Sequence, residues 1–173
     1  MKIKAKIGTA IAIAALMALP AQMAFAAEGS STIESTSVQD DGVIVVRSNT
    51  GDTWYNFPFS ESGSTWATSG RAKEDSSSAY IQVITMTMDY CKVYIDGGRT
   101  IDGPWSNQVS YWSGSATGNS CSVTSTGQFG IMNKVNENGL GYARLTGWAC
   151  SQPGELSGYW SPDSWGTYPK IND

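Results

Sequence analysis

The chain of 173 residues contains no histidine. That absence removes the Ser-His and Cys-His pairs of nucleophilic catalysis and every imidazole acid–base step. The acid–base chemistry left is a pair of carboxylates, the arrangement of glycoside hydrolysis. Asp89, Asp96, Asp102 and Glu137 are the acids near strand-forming sequence. Asp96-Gly97-Gly98 and Asp102-Gly103 read as turns, where carboxylates are ordinary solvated residues. Asp89 lies between Met88 and Tyr90, a context that a loop tip explains equally well. The alternating acidic ligands of a calcium loop are missing. The expectation is no catalytic residue, no metal site and no cofactor.

The three cysteines are Cys91, Cys121 and Cys150, with no CxxC spacing. In an exported chain two of them are expected to form a disulfide. Cys91 and Cys121 each stand at a loop–strand boundary, and the segment between them holds glycine-rich turns and little core. The expected bridge is therefore Cys91–Cys121, with Cys150 unpaired, although position alone does not exclude Cys150. Flat rings are the other functional resource. Seven tryptophans and eight tyrosines are many for a small acidic chain. Trp54, Tyr80, Tyr94 and Tyr142 sit where cross-strand packing would use them. Trp66, Trp105, Trp112, Trp148 and Trp165 lie in or beside loops and are the candidate ligand-binding residues.

The chain opens on Lys2, Lys4 and Lys6, then an apolar run from Ile7 to Leu19, then Ala24-Phe25-Ala26. This is the pattern of a signal peptide cleaved after Ala26, too short in its apolar part to remain as a membrane span. The expected localisation is secreted. Removing residues 1–26 leaves eight basic against fifteen acidic residues, a net charge of −7. So acidic a domain is a poor partner for nucleic acid or anionic membrane. An extracellular glycan or protein is the partner class that remains.

Residues 27–41 are rich in serine, threonine and acids and read as a flexible polar arm. Residues 42–173 read as one domain of short strands punctuated by turns, with no sustained helical apolar period. The fold expected is all-β, an antiparallel β-sandwich of jelly-roll-like or Greek-key type. Val43 to Val46 and Thr53 to Phe57 are expected to pair about Thr50-Gly51, placing Val46 opposite Tyr55 and Ile44 opposite Phe57. Tyr80 to Met86 and Cys91 to Ile95 are the most apolar strands and are expected to form a central hairpin. A second hairpin is expected about Asn138-Gly139, with Val135 opposite Tyr142, Asn133 opposite Arg144 and Met132 opposite Leu145. Leu156 to Trp160 closes the sheet and is stopped by Ser161-Pro162-Asp163.

Tyr142-Ala143-Arg144-Leu145 followed by Gly158-Tyr159-Trp160-Ser161-Pro162-Asp163-Ser164 resembles the ending of small exported proteins of Gram-positive bacteria. Gly70-Arg71-Ala72-Lys73 and Ser76 to Ile81 are similar to their middle, and Val135 to Gly139 also fits. The resemblance spans about Arg71 to Ser164 and implies a β fold and an exported protein, in a group without assigned activity. More distantly, the signal peptide and the late Gly-x-Trp resemble lactococcin-like bacteriocins, which implies an antagonist of other bacteria. The function expected is a secreted, non-enzymatic binding module. A bacteriocin-like antagonist is the alternative, and a carboxylate-based glycan-active enzyme is a third.

Overall fold

The computed structural model describes residues 49–171. The signal peptide, the arm and the Val43–Val46 strand with its pairings lie outside them. The described residues form ten strands: β1 (Thr53–Phe59), β2 (Thr65–Ala67), β3 (Arg71–Ala72), β4 (Ala79–Met86), β5 (Cys91–Gly98), β6 (Trp105–Asn107), β7 (Cys121–Val123), β8 (Gly127–Ile131), β9 (Tyr142–Ala149) and β10 (Gly154–Ser161). They make two antiparallel sheets packed face to face, a β-sandwich. The first sheet runs β1-β10-β4-β8. The second is built on the long pair β9-β5, with β2 and β3 on the outer edge of β9 and β6 and β7 on the outer edge of β5.

Period-two patterning selects the face each residue takes. In β1, Tyr55, Phe57 and Phe59 are buried and Trp54, Asn56 and Pro58 are exposed. Opposite them the second sheet contributes Cys91, Val93 and Ile95 from β5 and Ala143, Leu145 and Ala149 from β9. Ile81, Val83, Leu156, Trp160 and Ile131 complete the core from the first sheet. Pro58 is accommodated because β1 is the last strand of its sheet among the described residues.

Both expected hairpins are corrected. β4 and β5 stand where the sequence places them, but β4 pairs with β10 and β8 whereas β5 pairs with β9, β6 and β7. The turn between them crosses from one sheet to the other. The Asn138-Gly139 segment does the same between β8 and β9. Asn138 N–H donates to Lys134 C=O at 3.0 Å and Leu140 N–H to Val135 C=O at 2.9 Å, a helical type of turn. Gly139 has the positive φ of 68° that the dipeptide favours. Tyr142, Arg144 and Leu145 consequently face Gly98, Asp96 and Ile95 on β5. Asp96-Gly97-Gly98 is the end of β5 and not a turn. The same turn chemistry serves a hairpin and a crossover, so only the burial of both inner faces decides between them.

The Cys91–Cys121 bridge is also corrected. Each of the two cysteines begins its strand as expected, but β5 and β7 are antiparallel, so the two beginnings are offset. Cys91 faces Val123, and Cys121 faces Val93. Such diagonal positions are about 7–8 Å apart, beyond the reach of a bridge.

Candidate functional site

The outer face of the first sheet carries one row that crosses all four strands. Trp54 on β1 stands opposite Tyr159 on β10, Tyr159 opposite Gln82 on β4, and Gln82 opposite Gln128 on β8. At the usual strand spacing this row is about 14 Å long. Trp54 is 50% exposed and Tyr159 38%. Their rings meet edge to face, with centroids 5.1 Å apart and planes at 76°. Two aromatic rings and two amides thus share one open surface.

The neighbouring row, Ser161 opposite Tyr80 opposite Gly130, is roofed by the C-terminal segment. Gly130 N–H donates to Pro169 C=O at 2.9 Å, and the Tyr168 ring lies 4.7 Å from that of Tyr80. Lys170 Nζ donates to Ser78 Oγ at 2.5 Å. Between this roof and the start of β1 is a polar pocket of about 160 Å³, lined by Thr50, Asp52, Tyr80, Ser161, Ser164 and Trp165 together with Tyr168 and Asp163. Trp165 is 85% exposed at the rim and its indole N–H donates to Thr50 Oγ1.

Asp163 forms the pocket floor and is fully buried. Its Oδ1 accepts from Lys73 Nζ at 2.5 Å, and its Oδ2 accepts from Asn49 N–H at 2.7 Å and Glu74 N–H at 3.0 Å. Lys73 is itself buried and also donates to Ser77 C=O at 2.7 Å. The ion pair therefore ties the chain before β1, the β3–β4 connection and the end of β10 together. Arg71 reinforces the tie: its guanidinium donates to Asn49 Oδ1 at 2.8 Å and to Trp160 C=O at 3.3 Å, and lies 5.6 Å from the Trp160 ring centroid. Ser161 Oγ donates to Asp163 C=O at 2.7 Å, which closes the Ser-Pro-Asp turn.

Asp52, at the rim, is the second carboxylate. Partial loss of hydration against the pocket wall raises its pKa above the ordinary value. The charge of Arg71 and the nearby Ser161 hydroxyl pull it back by less. A carboxyl so raised binds protons more readily in the folded chain than in the unfolded one. Its ionised form at neutral pH thus works against folding, and this is relieved as pH falls through the folded-state pKa toward 3.8. The expected result is that Asp52→Asn melts at or above the wild type at pH 7, with the gap closing on acidification. Melting curves from pH 7 to pH 4 check it, and a gap that stays constant or reverses contradicts it.

Of the tryptophans singled out from the sequence, Trp165 alone joins this pocket. Trp105 and Trp148 lie on the outer face of the other sheet, half-buried. One ring face of each is covered, Trp105 by the Arg144 guanidinium at 4.8 Å and Trp148 by Lys92 Nζ at 5.3 Å. Trp66 is 45% exposed on β2, and Trp112, 61% exposed, stacks beside Tyr111 in the loop after β6. Among the acids, Asp96 accepts from Arg144 Nε at 3.1 Å and from Thr146 Oγ1 at 2.7 Å, and so serves the sheet.

Trp54, expected in cross-strand packing, is half-exposed on the outer face; Tyr159, Gln82, Gln128, Asp52 and Tyr168 were not among the expected site residues. The outward position of Trp54 was legible in the sequence: in Thr-Trp-Tyr-Asn-Phe-Pro-Phe, the alternating Tyr55, Phe57 and Phe59 claim the inner face and leave Trp54 outside. The others depend on register.

Residues 43–164 match the model of one family, described as a protein of unknown function, DUF2712. The chain belongs to this family. The matched range holds all ten strands and ends on Ser164 in the pocket wall. No curated protein and no solved structure matches the chain. For this DUF2712 protein the Gly-Tyr-Trp-Ser-Pro-Asp-Ser segment has a defined structural meaning. Tyr159 belongs to the exposed row, Trp160 to the core, Asp163 to the buried ion pair, and Ser161 and Ser164 to the pocket lining.

Proposed function

We propose that this DUF2712 protein is a secreted binding module that holds an extracellular carbohydrate on the outer face of its first sheet and does not transform it. The observation that carries the reading is the aligned row Trp54–Tyr159–Gln82–Gln128 running beside a polar pocket. Exposed rings offer flat apolar surface to the C–H faces of a pyranose. Each amide supplies both donors and an acceptor to neighbouring hydroxyls. A sheet face holds these groups without the ordering cost of a loop site. The N-terminal leader pattern supports export.

The absence of turnover is supported by the state of the carboxylates. Asp52 and Asp163 line one pocket, the only such pairing found there. Both oxygens of Asp163 are committed to Lys73 and two backbone N–H groups, and the residue is fully buried. A pair that divides acid and base roles needs two carboxylates within reach of the substrate, and Asp52 stands alone in that respect.

Glycan-array screening followed by titration of intrinsic fluorescence tests the proposal. Trp54→Ala and Tyr159→Ala are each expected to weaken binding tenfold or more, about 1.4 kcal/mol, as for a central ring at a binding surface. Trp112→Ala is expected to leave it unchanged. An array that retains no glycan, with no fluorescence response to any, overturns the reading.

A further inference from the structure

We propose that Cys91 and Cys150 are the disulfide-forming pair of this protein and that Cys121 remains a buried thiol. The geometry converges on one atom. Cys91 Sγ lies 3.4 Å from the carbonyl oxygen of Trp148, and Cys150 Sγ lies 3.7 Å from the same oxygen. The two sulfurs are thus separated by no more than about 7 Å, a gap that side-chain rotation can close. The backbone is equally close. Cys91 stands directly opposite Ala149, and Cys150 follows Ala149 at the first bend beyond β9. Because Cys150 lies in a bend beyond the last residue of β9, the strand's alternation of faces does not hold it away from Cys91, and its sulfur meets the same carbonyl. Cys121 has no such position, since it faces Val93 on the far edge of β5.

The chemistry separates the three thiols further. Burial pushes the Cys91 thiol up to about 12, and the neighbouring Cys150 adds to the rise. Burial alone pushes Cys121 to about 12. Cys150 is half-exposed and is the sulfur an external reagent reaches first. With a small-molecule or protein disulfide as oxidant, the Cys150 thiolate attacks one of its sulfurs and releases the other as a thiolate, leaving a mixed disulfide. Cys91 then loses its proton and attacks the Cys150 sulfur, which expels the second thiolate of the reagent. Two protein thiols are oxidised and one reagent disulfide is reduced.

Peptide mapping of the full chain, folded in a mixture of oxidised and reduced glutathione, decides the matter. Denatured without reductant and alkylated, the chain is expected to show one modified cysteine, Cys121, and a cross-linked peptide pair containing Cys91 and Cys150. After reduction all three are expected to be modified. Cys121→Ser is expected to keep the same cross-link. Reductant is expected to lower the urea midpoint of the wild type and to leave that of Cys150→Ser unmoved. Three alkylated cysteines before reduction, or Cys121 within the cross-link, overturn the proposal, and both are read on the wild-type chain alone.

Discussion

Asp163→Ala is expected to lower the free energy of unfolding by about 3–5 kcal/mol, the cost of leaving a buried charge without its partner. The substitution leaves the fully buried Lys73 ammonium with only the longer contact to the partly exposed Asp75, at 3.6 Å, and removes the acceptor of the Asn49 and Glu74 amides. Urea denaturation of purified protein measures the loss as a lower midpoint at unchanged slope. The comparison that isolates the cause is Lys73→Met, made alone and together with Asp163→Leu. Either single change breaks the short buried contact and leaves one of its ions in place, Lys73 with only Asp75 at 3.6 Å, whereas Lys73→Met with Asp163→Leu removes both ions and retains apolar volume. The double variant is therefore expected to be more stable than Asp163→Ala. A double variant less stable than both singles would show that the backbone hydrogen bonds, and not the ion pair, dominate. A loss under 1 kcal/mol for Asp163→Ala contradicts the prediction outright.

Gly158→Ala is the second large effect. A Cβ at this position would lie 1.9 Å from the carbonyl oxygen of Gln82 and 3.2 Å from the amide nitrogen of Ile84. Both are backbone atoms of the neighbouring strand, so no side-chain rotation relieves the clash. The close approach arises because the β10–β4 ladder shifts register here. Gly158 faces Val83, Ser157 faces Thr85, and Ile84 is left out as a bulge, 46% exposed. The methyl is expected to force the two central strands of the first sheet apart, at a cost of about 4 kcal/mol or more. Gly139→Ala is the control. Its φ is +68° but no atom lies within 4 Å of the added carbon, so about 1–2 kcal/mol of backbone strain is expected there. Thermal melts of the two variants should rank Gly158→Ala far below Gly139→Ala, and equal melting temperatures would refute the steric account.

These two residues explain why the Gly-Tyr-Trp-Ser-Pro-Asp-Ser segment serves both structure and site. Alternation along β10 keeps Trp160 in the core while Tyr159 projects beside Trp54, and Gly158 gives the bulged β4 backbone the room to pass. Five residues after Gly158, Asp163 anchors the chain that walls the pocket. The segment builds the surface and contributes only some of the groups on it.

What the amino-acid sequence determined alone is what depends on local pattern. Alternation of buried and exposed positions, the turn-forming dipeptides and the lack of helical period placed β1, β4, β5 and β10 close to where they lie, and set the fold class. The loss of imidazole chemistry followed from composition. Tertiary structure decided which strands are partners. The turns after β4 and after β8 have the chemistry of hairpins, yet each carries the chain to the other sheet, because that is how both inner faces become buried. Cross-strand register then set everything at the site. Trp54, Tyr159, Gln82 and Gln128 come from four separate segments and meet only through the alignment of four ladders. The cysteines obey the same rule. Their strand starts were legible, but antiparallel direction sets Cys91 away from Cys121 and brings it beside Cys150, a relation of space that linear spacing does not encode.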